Sequence, residues 1–344
     1  MKRIPDSSSI PVRLALAGFL SFSGSVIAQS YAVTDLGAFG GTGSQAHGIN
    51  NGGVVVGSAA TADNNSHAFS FVKGSMQDLG IKSSNSVANA INGSGQIAGY
   101  YLNRSYSAFV WSNGKLHDLG NLGGPPYSAA YGINSLGHAC GSSLIKSGIY
   151  GLEHAFIWTG GKMRDLGTLG GNYSSSRGIN TSDQVVGYTY LASGAPRAFL
   201  WKSGIMQNLG TLGGDYSYAF AINDAGQVVG SAALPGNNAV HAFLWNSNGP
   251  LLDLGDLGDG ISEAYALNST GTIVVGEAEV PGNTGFVVYH AFVWSGDTMQ
   301  DLNNLVPADS GWELNQATGV NDTGQIVGYG TRAGHARAFL LSPR

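Results

Sequence analysis

Three sets of side chains in this 344-residue chain have types and spacings that could do chemistry. The first is a column of histidines, His67, His154, His241 and His290, each opening a His-Ala-Phe tripeptide. A zinc site needs three or four ligands within about 2 Å of one ion. These four recur once in each of four separate segments, which disperses them, and we read them as strand-edge residues bonding to nearby loop backbone. The second set is acidic: Asp256, Asp259, Glu263, Glu277 and Glu279. Calcium takes about 6–8 oxygen ligands, so five carboxylates in one neighbourhood form a calcium candidate. An acidic, solvated rim is the simpler reading, and no metal or other cofactor is assigned. The third set is aromatic and basic: Tyr100, Tyr101, Arg104, Tyr106, Tyr188, Tyr190 and Trp312. Tyrosine, tryptophan and arginine dominate recognition hot spots, so these residues form the candidate binding surface. Tyr150 and Phe286 fall in comparable segments, and Tyr127, Tyr173 and Tyr216 lie in the linkers between repeats.

The elements that must position these groups are set by internal repetition. Asp-Leu-Gly or a near relative starts at Asp35, Asp78, Asp118, Asp165, Asn208, Asp253 and Asp301, at spacings of 40 to 48 residues. An asparagine ends a second column at Asn50, Asn92, Asn134, Asn180, Asn223, Asn268 and Asn321. A glycine follows each, from Gly57 to Gly328, and then a phenylalanine, from Phe69 to Phe339. A period of roughly 40–50 residues is that of four-stranded propeller blades. Each repeat reads as four short strands. The first ends in Ile-Asn, and an Asn-x-x-Gly turn such as Asn223–Gly226 leads into the second. A variable loop precedes the aromatic third strand, and a glycine turn returns into a fourth strand ending in Asp-Leu-Gly. The aspartate there is read as an acceptor of backbone N–H groups that stops the strand.

Alternation along the third strand puts Phe243 and Trp245 on one face and Ala242 and Leu244 on the other. Both faces are apolar, so each small sheet must be covered on both sides, as stacked blades are. The small residues of the first strand suit a crowded central channel. Residues 31–37 read as a lone fourth strand and residues 337–341 as a third strand lacking its fourth. Pairing them closes the ring and removes two exposed sheet edges. The expected fold is therefore an all-β, seven-bladed β-propeller over residues 29–344, closed by an N-terminal strand that completes the last blade.

Composition narrows the partners. Sixteen basic against 21 acidic residues, a net charge of -5, give no electrostatic reason to expect nucleic acid. Lys2, Arg3 and Arg13 precede an apolar stretch that ends Val26-Ile27-Ala28, the pattern of a secretory signal over residues 1–28. Serines and glycines interrupt that stretch, so no membrane span is expected after cleavage, and the protein is expected to be secreted or periplasmic. Cys140 is the single cysteine and stands in a column of valines and alanine, which makes it a small buried hydrophobe. No Gly-x-Ser-x-Gly elbow or phosphate loop is present.

The tripeptides at His67, His154, His241 and His290, with Asp165–Gly171 and Ile222–Gly230, resemble the extracellular repeat family named for His-Ala-Phe. The resemblance covers residues 31–344 and implies export and a repeat-built β fold, with no defined activity. Ser107, Arg197 and Arg337 depart from it at the histidine position. Together these observations favour an exported, non-catalytic scaffold that binds a glycan or an envelope or extracellular protein through its loop face. The alternative is a propeller-type hydrolase or lyase with its site in the central pocket.

Overall fold

Each repeat folds as the up-and-down sheet that its turns dictate. In the fifth, Ser217–Ile222, Gln227–Ala233, Val240–Asn246 and Leu252–Asp253 pair in sequence order as antiparallel strands. The first turn closes with a hydrogen bond from Gly226 N–H to the Asn223 carbonyl, and Gly226 takes φ 79°. A residue with a Cβ disfavours that conformation.

The computed structural model describes residues 30–146, 152–247, 249–282 and 287–344. The segment 1–28 and the aromatics Tyr150 and Phe286 lie outside the described residues. Among the described residues, the strands form seven four-stranded antiparallel sheets in a ring. Blades 1 to 6 comprise residues 40–78, 86–118, 123–165, 170–208, 217–253 and 262–301. Blade 7 comprises residues 312–343 and is completed by Tyr31–Asp35 as its outer strand. That strand pairs Val33 with Leu341 and Asp35 with Phe339, so the closure expected from the repeats is present. Tyr31 is 1% exposed and donates its N–H to the Leu305 carbonyl at 2.9 Å, which ties the closing strand to the segment linking blades 6 and 7 as well.

The core lies between the blades, with an apolar cluster at each of the seven interfaces. Between blades 4 and 5, Val186, Ala198 and Leu200 meet Ala219, Val228, Phe243 and Trp245. The phenylalanine of each third strand is fully buried. Such burial contributes about 1.5–3 kcal/mol per ring. Cys140 belongs to one of these clusters, and burial pushes its thiol up to about 12.

Polar side chains stitch the same interfaces. Ser217 Oγ accepts the Ala198 N–H of blade 4 at 3.0 Å and donates to the Gly210 carbonyl at 2.6 Å. Ser86, Ser128, Ser174 and Ser262 accept the equivalent bond from the preceding blade, and Ser44 does so from Ala338 across the closure. Around the axis, Asn50 Nδ2 donates to the Asn92 carbonyl, Asn92 to Asn134, Asn134 to Asn180, and Asn180 to Asn223. Asn223 continues to Asn268, and Asn321 donates to Asn50. The turn asparagines therefore form a belt across six of the seven blade junctions, and between blades 6 and 7 the Ser269 N–H donates to Asp322 Oδ1 instead. Among the described residues no helix is long and apolar enough to cross a membrane.

Candidate functional site

The site is built by one irregularity repeated in every blade. Where the first strand pairs with the second, the register slips by one residue: Ala130 faces Gly141 and Gly132 faces Cys140, leaving Tyr131 unpaired. The same slip leaves His47, Asn89, Arg177, Phe220, Tyr265 and Thr318 unpaired in the other six blades. A β-bulge re-aims the extra side chain. Here each bulge sends it into the central channel, and all seven line one cavity.

The glycine column makes the bulge possible. A Cβ on Gly230 would overlap the Tyr218 carbonyl oxygen and lie 2.9 Å from the Phe243 ring. The inner strand and the buried phenylalanine both press on this point, so no side chain fits. The small residues of the first strand, expected to line the channel, do something else. Ala46, Ala88 and Ala130 are fully buried in the blade interfaces, and the bulged residues one position later face the channel.

Above the bulges the channel widens into a cavity of about 410 Å³, lined among others by Arg177, Phe220, Glu263, Tyr265 and Gln316. A neighbouring cavity of about 300 Å³ is lined by Tyr100, Tyr106, Tyr127, Tyr131 and Arg177. Ligand pockets run from about 300 to 1,000 Å³. A wall of aromatic rings runs without a break up to the larger cavity, whose lining includes its last two members, Phe220 and Tyr265. Tyr190 lies 5.3 Å from Tyr173, Tyr173 5.7 Å from Tyr188, and Tyr188 5.0 Å from Tyr218. Tyr218 lies 6.5 Å from Phe220, and Phe220 5.1 Å from Tyr265. Burial, with the charges of its neighbours, pushes the Tyr218 phenol up to about 12. Arg177 flanks the wall at Tyr188, away from its Tyr265 end, its guanidinium 4.3 Å from the Tyr131 ring centre and 5.7 Å from that of Tyr188. His47 lines the same cavity, and burial pushes it down to about 4, so it is neutral at physiological pH.

Two carboxylates hold the Tyr265 end. Glu263 and Glu277 face each other across the first two strands of blade 6. Tyr265 Oη lies 2.6 Å from Glu263 Oε2 and 2.8 Å from Glu277 Oε1, and Gln316 Nε2 donates to Glu277 Oε2 at 2.6 Å. A phenol has one proton to give, so it donates to one carboxylate. The second contact is a hydrogen bond when that carboxyl is protonated and donates back. Burial, and then the Glu263 charge, pushes Glu277 above the ordinary carboxylate range, against hydrogen bonds from Tyr265 and Gln316 that lower it. Glu277 is thus held nearer to its protonated form than an ordinary carboxylate.

No family model matches the sequence, and no curated protein matches it. Among solved structures the chain is similar to the β-propeller domain of the Trilobed protease from Pyrococcus furiosus, reported to have an open velcro topology. The identity is 12%, the TM-score 0.53, and the match covers 74% of this chain and 82% of that one. It is also similar to the acylaminoacyl peptidase of Pyrococcus horikoshii, at 12% identity and a TM-score of 0.53, over 88% of this chain and 52% of the peptidase. TolB from Acinetobacter baumannii matches at 11% identity and a TM-score of 0.49, over 71% of this chain and 61% of TolB. The likeness is one of fold. The chain spans about half the length of the peptidase and three fifths of that TolB.

The structure separates the expected binding residues. Tyr100 and Tyr106 meet edge to face at 5.1 Å and line the smaller cavity, while Tyr188 and Tyr190 belong to the aromatic wall. Tyr101 instead donates its hydroxyl to Asp118 at 2.8 Å and packs on Phe109. Arg104 is exposed at a hairpin tip with φ 62°. Trp312 lies edge-on to Phe339 with Arg332 above it, packing blade 7. Of the acidic set, Glu263 and Glu277 meet at Tyr265. Asp256 accepts the N–H groups of Gly258 and Gly260 and lies 3.5 Å from His241 Nε2. Asp259 is exposed, and Glu279 faces Tyr289 across the ladder. Among the described residues no three His, Cys, Asp or Glu side chains converge as a metal site.

The histidines do not bond to loop backbone as expected. His67, His154, His241 and His290 each place Nδ1 within 2.7–2.9 Å of the Asp-Leu-Gly carboxylate of their own blade. That carboxylate also accepts the N–H two residues on, at Gly80, Gly167, Gly255 and Asn303. The departures follow the same logic. Where Ser107 replaces histidine, Tyr101 reaches Asp118, and where Arg337 does, Arg332 pairs with Asp35 at 3.0 Å. Blade 4 lacks the acid, carrying Asn208, and Arg197 turns to the Asp215 carbonyl. The ring residues Asn89, Tyr131, Arg177, Phe220 and Tyr265, with Tyr218 and Gln316, were missed by sequence reasoning. Their signal is variation: three positions before the repeating asparagine, the residue changes from blade to blade while its neighbours stay small or aliphatic.

Proposed function

We propose that this chain is an exported, non-catalytic β-propeller that binds a glycan at the mouth of its central channel. The observation that carries the reading is the unbroken row of aromatic rings from Tyr190 to Tyr265, whose last members Phe220 and Tyr265 line the channel cavity together with Arg177, Glu263 and Gln316. Sugar rings offer apolar C–H faces that stack on aromatic rings, and hydroxyls that pair with planar carboxylate, amide and guanidinium groups. Export is supported by the basic and apolar pattern of residues 1–28. Membership of the His-Ala-Phe repeat family belongs to the same proposal, supported by the recurring tripeptides and by the histidine–aspartate bonds they make.

A glycan array followed by calorimetry on residues 29–344 tests the reading. Tyr188→Ala and Tyr218→Ala are expected to weaken binding at least tenfold while the melting temperature stays near wild type. Unchanged affinity in both variants for every sugar that binds would refute it.

A second reading rests on Glu277. A carboxyl held above the ordinary carboxylate range and joined through Tyr265 to a second carboxylate is the equipment of acid–base catalysis. In this reading Glu277 and Glu263 act on the bound glycan, and a time-resolved assay for new reducing ends or unsaturated products separates turnover from binding.

A further inference from the structure

Arg177 is the site's unsatisfied group. Its guanidinium carries five N–H donors. Among the described residues no carboxylate lies within ion-pair distance of it. Its nearest side-chain acceptor is Tyr188 Oη at 3.5 Å, a marginal hydrogen bond, and Nε has no partner. A largely enclosed charge with a single marginal hydrogen bond is costly, and the usual resolution is a counter-charge. Among the described residues the chain supplies none. Yet Arg177 lines the central, the wide and the neighbouring cavity alike, and it is the one side chain of these linings that is cationic at neutral pH.

The orientation narrows the counter-charge further. Tyr131 covers one part of the guanidinium surface and Tyr188 another. What remains for a ligand is the edge of the plane, where the N–H groups form a fork. A fork presented edge-on matches a planar carboxylate, which it binds through two parallel bonds. At the far end of the wall, Glu263 and Glu277 repel a second anion and accept hydrogen bonds from hydroxyls. The ring-to-ring steps between these ends, 5.0, 6.5 and 5.1 Å, make the wall longer than one sugar ring.

Resting on the glycan reading above, we infer that the ligand is a uronate-containing oligosaccharide whose carboxylate is held by the edge of Arg177 and whose next sugar runs along Tyr218 and Phe220 toward Glu263. Calorimetry on the mature chain tests this with trigalacturonate, trimannuronate and a hyaluronan tetrasaccharide, each beside its carboxyl-reduced counterpart. A sulfated neutral trisaccharide completes the panel. At least one uronate oligosaccharide is expected to bind tenfold or more tightly than its reduced form. Arg177→Gln is expected to abolish that preference, and Arg177→Lys, which keeps the charge without the fork, to recover only part of it. The wild-type comparison needs no variant, so it stands even if Arg177→Gln folds poorly. Equal binding of acid and reduced forms overturns the inference and leaves the glycan reading intact. Binding of the sulfated sugar as tight as that of the best uronate overturns the carboxylate assignment. If no acid or reduced sugar binds, this inference falls, and the array decides the glycan reading separately.

Discussion

Asn321 donates its side-chain amide to the Asn50 carbonyl at 3.2 Å, joining residues 271 positions apart across the closure of the ring. The same side chain accepts the N–H groups of Thr323 and Gln325 through Oδ1, and it is 2% exposed. It therefore shapes its own turn and clasps the next blade at once. Asn321→Ala leaves several buried backbone groups without partners, at about 1–3 kcal/mol for each group left unsatisfied. A fall in melting temperature of several degrees is expected. An unchanged melt would show that the closing strand alone holds the ring.

Gly230→Ala is expected to be among the most damaging single-methyl additions in the molecule. The added Cβ meets the Tyr218 carbonyl, and neither that strand nor Phe243 has room to retreat. Overpacking typically costs about 1–3 kcal/mol, and the involvement of backbone puts this case at the upper end. Because Phe220 is the bulged residue of this blade, the variant should also disturb the channel, readable as a change in aromatic near-UV circular dichroism.

Phe243 and His241 lie two residues apart and predict opposite outcomes. Phe243 is fully buried, and Phe243→Ala should cost about 3–5 kcal/mol through lost transfer energy and a cavity. His241 joins a half-exposed Asp253, and His241→Ala should cost less than about 1 kcal/mol, as near-surface pairs do. Denaturant unfolding of the two variants side by side checks the contrast. Equal losses would mean that the histidine column carries more than these pairs.

The His290–Asp301 pair predicts a pH window. A hydrogen bond to Asp301 raises the His290 value above that of a free histidine, against burial that lowers it. For Asp301, burial works upward, but hydrogen bonds from His290 and the Asn303 N–H outweigh it and the net value is lowered. A raised histidine contributes stability below about pH 6.5 that is lost as pH rises through its folded value. A lowered aspartate contributes stability above about pH 3.9 that is lost as pH falls through its folded value. The difference in melting temperature between wild type and His290→Gln should thus be widest near pH 5, and narrow toward both pH 2 and pH 9. A difference independent of pH would remove the pair as a source of stability.

Blade count, strand order and closure were legible because each rests on periodicity and turn chemistry, which repeat along the chain. The columns of Asn223, Gly230 and Phe243 were equally visible, but what they do to one another was not. The clash that forces Gly230 arises between strands, and the belt through Asn223 arises between blades. The histidine–aspartate bonds had a sequence trace: the one blade with Asn208 in place of aspartate is also one that has lost its histidine, to Arg197. The channel set was hidden for a different reason. A bulge shifts which residues face inward by one position, so strict alternation assigns Tyr131 and Arg177 to the wrong side. Loop tyrosines such as Tyr188 were found because they stand beside a repeating glycine, whereas Tyr218 and Gln316 became visible only with the channel mouth in view.

The bulged position also bears on how such a protein changes over time. Its residue makes no ladder bond, and across the seven blades it is His, Asn, Tyr, Arg, Phe, Tyr and Thr. Blade packing, belt and closure rest chiefly on other columns; among the described residues only Asn89 and Thr318 of this one donate to the next blade. Selection can therefore rewrite the channel one side chain at a time without unfolding the ring. Duplicated copies of such a gene would be expected to diverge in specificity first and in architecture last.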